Sequence, residues 1–229
     1  MAYRLLILDW DGTLVDSEAY IVSCFQQAMC DFGLPSVPYQ AVRNVIGLGL
    51  MEACEVVLPG LDRATWQSVS DAYCHHYFIG SEVVPPPLFP GVRETLGQLY
   101  DDGYQLAVAT GKGRRGLDRS LRETGLARFF HATRCADETL SKPHPQMLLE
   151  ILEELNAPVT EAIMVGDTEY DLEMAHRITM ARIAVTYGAH SVERLHRWEP
   201  LVCVDQFSNL CAWLAETNTP FSSRTVSCP

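Results

Sequence analysis

The stretch Leu5-Leu6-Ile7-Leu8-Asp9-Trp10-Asp11-Gly12-Thr13-Leu14-Val15-Asp16-Ser17 passes from unbroken hydrocarbon to carboxylates within a few residues. Four apolar residues without alternation fit a strand buried on both faces, as in a parallel sheet. The turn that Gly12 permits can bring the Asp9 and Asp11 carboxylates towards one site. Burying two carboxylates there is costly unless a cation or a proton compensates, and a metal ion plus one protonated partner meets that need. A strand followed by an ordinary polar turn accounts for one aspartate but not for the whole string.

Outward from this stretch, short apolar runs recur at 106–109, 162–165, 183–185 and 201–204. Segments with helical spacing lie between and after them, at about 91–102, 114–124, 145–155, 169–178 and 207–215. This alternation predicts an α/β fold with a doubly wound, Rossmann-like parallel sheet, whose ligands bind at the carboxyl ends of the strands. From about 17 to 83 the pattern is helical throughout, broken by Pro35, Pro38, Pro59 and Gly60. Pro85-Pro86-Pro87 and Pro90-Gly91 mark the return to the α/β pattern. The expected organisation is an α/β core over 1–16 and 85–216, a helical insertion over 17–84, and a flexible polar tail over 217–229.

A length of 229 residues, 48% of them hydrophobic and 20% charged, suits a folded globular chain. The net charge of −12 argues against a nucleic-acid polymer as partner. A small phosphate ester remains compatible where a metal or a local patch reverses the sign. Lys112 and Lys142 are the only lysines. The eight cysteines form no CxxC pair, which reads as free thiols in a reducing compartment rather than as a disulfide or zinc framework. No signal peptide is evident, and no segment has the ~20 apolar residues of a membrane span. A cytoplasmic location and no membrane partner are expected.

The string from Asp9 to Ser17 resembles the first motif of the haloacid dehalogenase superfamily, in its phosphatase branch. Leu106-Ala107-Val108-Ala109-Thr110-Gly111-Lys112 resembles the second motif, whose threonine hydroxyl holds a phosphate oxygen. Ser141-Lys142-Pro143 resembles the third, whose lysine neutralises nucleophile and phosphate, and Met164-Val165-Gly166-Asp167-Thr168-Glu169-Tyr170-Asp171 resembles the fourth, an acidic pair that holds Mg²⁺. The resemblance spans essentially the full chain. It implies that Asp9, Asp11, Thr110 and Lys142 are catalytic. The Mg²⁺ set would be Asp9, the Asp11 backbone carbonyl and Asp167, with Asp171 as a ligand or a supporting neighbour. Phosphoryl transfer independently requires a nucleophile in line, neutralised equatorial oxygens and a proton for the leaving alkoxide. Asp9 suits the first role and Asp11 the last.

Asp11 separates the chain from dehalogenases, which have no alkoxide to protonate. The absence of lysine from 17–84 separates it from phosphonoacetaldehyde hydrolases, and Ile21 stands where β-phosphoglucomutases carry histidine. The remaining resemblance is to phosphoglycolate phosphatases, acting on a small phosphorylated metabolite as monomer or homodimer, with 17–84 as a cap. A phosphomutase and a non-catalytic module on the same fold are the alternatives. Gly111 and Lys112 are candidate substrate contacts from the core, and Arg43 from the cap, where it reads equally as a solvated helix arginine. Trp66, Val69, Tyr73 and Phe78 read as cap core, and His75 and His76 as cap residues rather than ligands. Three departures stand out: Trp10, whose bulk can shape the pocket; Gly111 in place of asparagine; and Ile178-Thr179 in place of Ala-Gly.

Overall fold

The computed structural model describes residues 3–79 and 85–218. Strands β1 (Leu5–Leu8), β2 (Gln105–Thr110), β3 (Ala132–Cys135), β4 (Ala162–Gly166), β5 (Ala181–Val185) and β6 (Cys203–Val204) form one parallel sheet in the order β3-β2-β1-β4-β5-β6. Leu8 registers with Val108 on one side and Val165 on the other. The order reverses next to β1, so Asp9 emerges at the topological switch point, where the carboxyl edge of such a sheet opens a crevice.

Alternate residues of the strands enter two apolar layers. Leu6, Leu8, Leu106, Val108, Ile163 and Val165 pack on one face. The helices covering that face are α5 (Val92–Asp101), α6 (Arg114–Thr124) and α10 (Asn209–Asn218). Leu5, Ile7, Ala107, Ala109 and Met164 pack on the other face, beneath α7 (Gln146–Glu154) and α8 (Glu169–His176). Burial of Val92, Thr95, Leu96 and Leu99 follows the helical i, i+3, i+4, i+7 period and explains how α5 seats.

Residues 18–79 contribute α1 (Glu18–Asp31), α2 (Tyr39–Arg43), α3 (Leu50–Val57) and α4 (Arg63–Ile79), and α9 (Val192–His196) completes the helices. Val22, Phe25, Ala28, Met29, Val42, Cys54 and Val69 form a separate apolar cluster among α1–α4. Truncating a ring such as Phe25 to alanine in a cluster of this kind costs about 3–5 kcal/mol. Trp66 and Tyr73 pack against this cluster as expected. Phe78 does not: its ring lies 4.0 Å beneath the Arg115 guanidinium, facing the core. His76 pairs with Asp31 at 2.7 Å on the surface, away from any ligand cluster.

β3 carries no apolar run. Ala132 and Cys135 are buried while Thr133 and Arg134 are half exposed, as suits an edge strand. The run at 201–204 narrows to Cys203–Val204, because Leu201 is exposed. Of the anticipated tail, Thr217 and Asn218 belong to α10, and Asn218 Oδ1 accepts a hydrogen bond from the Tyr3 amide. The rest of that tail, the end of the expected insertion at 80–84 and Cys228 lie outside the described residues. The seven described cysteines are free thiols, and no described helix is long and apolar enough to cross a membrane.

Candidate active site

The carboxyl ends of β1, β2 and β4 deliver Asp9, Thr110 and Asp167 to one place. Asp9 is 1% exposed and Asp167 and Asp171 are fully buried. Lys142, 1% exposed, sets its ammonium 2.7 Å from Asp9 Oδ1 and 2.5 Å from Asp171 Oδ1. Burial works against the Lys142 charge, but Asp171 and Asp9 more than offset it and hold the ammonium above its ordinary range. Asp171 is itself fixed in a capping box at the start of α8: Oδ2 accepts from the Thr168 amide and hydroxyl, at 3.1 and 2.7 Å. Both of its oxygens are thereby engaged, one by Lys142 and one by Thr168.

Asp167 is oriented by Thr13, whose hydroxyl donates to Oδ1 at 2.8 Å, and by the Ala189 amide, which donates to Oδ2 at 2.7 Å. Gly12 lies so close, at φ 85°, that a Cβ there would collide with the Asp167 carboxylate. Asp11 faces the cleft next to Asp9. Ser17 Oγ donates to its Oδ1 at 2.7 Å, and Lys112 Nζ lies 2.9 Å from its Oδ2. Lys112 also donates to the Tyr77 hydroxyl at 3.1 Å and rests over the Tyr77 ring. Desolvation opposes the Lys112 charge, and Asp11 and Tyr77 outweigh it. Thr110 is fully buried, and its Oγ1 accepts from the Lys112 amide at 3.1 Å.

The donor set fits a divalent cation. Carboxylate oxygens of Asp9, Asp167 and Asp171 lie within 4.8 Å of one another. With all three ionised, the buried carboxylates would face one lysine with an excess of two negative charges. Both oxygens of Asp9 lack a well-aligned hydrogen-bond donor. Burial first, and the Asp171 charge second, push the Asp9 carboxyl well above its ordinary value. The same causes raise Asp167 to about 7. All-oxygen donors with an uncompensated double charge suit Mg²⁺.

The helices at 18–79 close over this edge. Gly49 donates its amide to Ser141 Oγ at 2.7 Å, and the Asn44 carbonyl accepts from Tyr170 Oη and His190 Nε2 at 2.9 and 3.1 Å. A Cβ on Gly111 would collide with the Gly47 and Leu48 carbonyl oxygens, so a glycine there lets the core approach the 18–79 helices. The cleft between them has a volume of about 480 Å³ and is lined by Asp9, Asp11, Thr110, Gly111 and Lys112 from the core.

Arg43 does not reach this cleft. It bonds Glu18 Oε2 at 2.9 Å and the Gly188 carbonyl at 3.0 Å, rather than lining the cleft with the other candidate substrate contacts, Gly111 and Lys112. Lys112 lines the cleft, but its charge is spent on Asp11. Trp10 is fully buried beneath the site, donating to Ser120 Oγ at 2.9 Å, and does not shape the pocket. Thr13, Ser17, Tyr77, Thr168 and Ala189 were not singled out from the sequence. The first two sit inside the first motif, yet no spacing rule says which carboxylate each serves. Elsewhere, a depression of about 530 Å³ beside β3 is crossed by Arg114–Glu138 and Arg134–Glu150 ion pairs at 2.7 and 2.8 Å, which leave its charges satisfied.

The fold and this constellation set an aspartate at the end of the first strand of a parallel sheet, with a helical insertion directly after it, and these are the features that the comparisons match. The model of the haloacid dehalogenase-like hydrolases matches residues 6–185, and the chain belongs to that family. It is 39% identical over 213 residues to "Probable phosphatase IndB" of Dickeya dadantii, covering 90% of this chain and 91% of that one. It is 32% identical over 217 residues to a phosphoglycolate phosphatase of Agrobacterium fabrum, covering 93% and 92%. Among solved structures, a predicted phosphatase from Clostridium acetobutylicum superposes with a TM-score of 0.84 at 27% identity, over 94% of this chain and 100% of that one.

Proposed function

We propose that this chain is a Mg²⁺-dependent phosphatase that cleaves a small phosphate monoester through a phosphoryl group carried on Asp9. The observation that carries the reading is the pair of differently supported aspartates at one strand's end. Asp9 is buried and faces Lys142 alone among the described cations, at 2.7 Å, while Asp11 is held by Ser17 and Lys112.

In the first step, an Asp9 oxygen attacks phosphorus in line as the bond to the leaving oxygen breaks, and Asp11 gives that oxygen a proton. In the second, Asp11 takes a proton from water, whose oxygen displaces the Asp9 carboxylate and releases inorganic phosphate. The Thr110 hydroxyl and the Lys142 ammonium hold the equatorial oxygens. Asp9, Asp167 and the Asp11 backbone carbonyl would hold Mg²⁺, which supplies further neutralisation of phosphate charge when bound. Asp171 acts by anchoring Lys142. The cap excludes water from the cleft while the bond is broken. The similarity to a phosphoglycolate phosphatase supports the monoester class, and the seven free thiols support a reducing, cytoplasmic setting.

The test is phosphate release from a panel of phosphate esters, with Mg²⁺ and with EDTA. Release that requires Mg²⁺ is the expected result. No release from any ester by folded, Mg²⁺-loaded protein would overturn the reading.

A further inference from the structure

The cleft has a second property that the phosphoryl chemistry does not use. Much of its lining is apolar: Ile21, Ile46, Leu48 and Met51 come from residues 18–79, as do Tyr73 and Tyr77. A two-carbon acid esterified to phosphate would carry its carboxylate within a few ångströms of the phosphoryl group. A cation would have to wait for it there. The inner cation is Lys112, and it already faces Asp11 Oδ2 at 2.9 Å and the Tyr77 hydroxyl at 3.1 Å. Arg43 is turned away onto Glu18. Arg63 and Arg115 line the cleft but are exposed, and Arg115 is laid over the Phe78 ring. Glu52 and Asp137, which also line the cleft, would repel an added carboxylate. A volume of about 480 Å³ also far exceeds what a two-carbon fragment fills.

On the reading of this chain as a phosphatase, we infer that its substrate is the phosphate ester of an uncharged, ring-bearing alcohol rather than of a hydroxy acid. The phosphoryl group occupies the carboxylate end of the cleft. The ring lies between the cap aliphatic wall and the aromatic side chains of α4, where burial rather than ion pairing selects it.

The experiment compares 2-phenylethyl phosphate with phosphoglycolate, both esters of alkyl alcohols, at saturating Mg²⁺. A preference of about 100-fold or more in kcat/KM for the phenylethyl ester is expected, in line with loss of several buried methylene-sized contacts by the small acid. Met51→Arg, which sets a cation in the apolar wall, should reduce that ratio by about tenfold, one charge-assisted contact being gained by the acid. Calorimetry with Asp9→Asn, where turnover is silent, should show the phenylethyl ester binding more tightly than phosphoglycolate. Equal or better turnover of phosphoglycolate would overturn the inference while leaving the phosphatase standing. Failure to hydrolyse either ester, or any other on the panel, would remove both.

Discussion

Two lysines serve a chain of 229 residues, and both ammonium groups end on carboxylates of one cleft. They do different things. Lys142 lies among Asp9, Asp171 and Asp167 and offsets one of three buried charges. The Lys112 ammonium meets Asp11 and Tyr77, so its effect should appear where a proton must reach the leaving group. Lys112→Met is therefore expected to lower kcat for alkyl phosphates by about 10²-fold, within the range of general-acid contributions. It should lower kcat far less for p-nitrophenyl phosphate, whose leaving group needs no proton. A uniform loss across both esters would show that Lys112 acts on phosphate binding instead. Asp9→Asn makes the complementary case. Turnover should vanish, yet the metal-free protein should melt at a higher temperature than the native chain. The substitution removes a buried carboxylate that burial and Asp171 disfavour. Activity assays and thermal melts in EDTA on one preparation check both halves.

At the scale of elements, two backbone positions carry predictions. Gly111 ends the β2 turn against the Gly47-Leu48 carbonyls, and an alanine there must push the cap away. Gly111→Ala should cut kcat/KM by about 10²-fold, the scale of a 1 Å misplacement, with little change in melting temperature. Thr179 follows α8 at φ 58°, a left-handed conformation that costs a β-branched residue about 1–2 kcal/mol. Thr179→Gly should recover about that amount in urea unfolding. The departure from Ala-Gly noticed in the sequence is thus a strained turn, not a rebuilt one. The central strands were legible because burial on both faces leaves unbroken apolar runs. β3 was not, because an edge strand with Thr133 and Arg134 half exposed has no such run. The four motifs fixed which carboxylates and which lysine meet. The poses of Arg43 and Phe78 were not legible for a common reason: their partners, Glu18 and Gly188 for one and Arg115 for the other, come from elements whose relative pose no local pattern encodes.

Taken as a whole molecule, the fold assembles charge that it cannot neutralise alone, and this links stability, pH and metal. In the metal-free chain Asp167 has its carboxyl raised from 3.8 to about 7 by burial and by Asp171. The folded state then holds a proton that the unfolded state releases near pH 4. Its contribution to stability is full below pH 4 and is lost as pH rises through about 7. On the proposed reading Mg²⁺ would compete with that proton and bind only the folded chain, so its stabilisation should grow with the ionised fraction. The difference in melting temperature between Mg²⁺ and EDTA should therefore be small at pH 5, climb through pH 7 and level off near pH 8. His190 works in the opposite direction. Buried against Asn44, with its pKa lowered from 6.5 to about 4, it contributes stability above pH 6.5 that is lost as pH falls towards 4. That contribution is common to both metal conditions and cancels in the difference. Asp167→Asn should flatten the difference across the whole range. A native chain whose Mg²⁺-induced shift is the same at pH 5 and pH 8 would show that the cation binds elsewhere than among these three carboxylates.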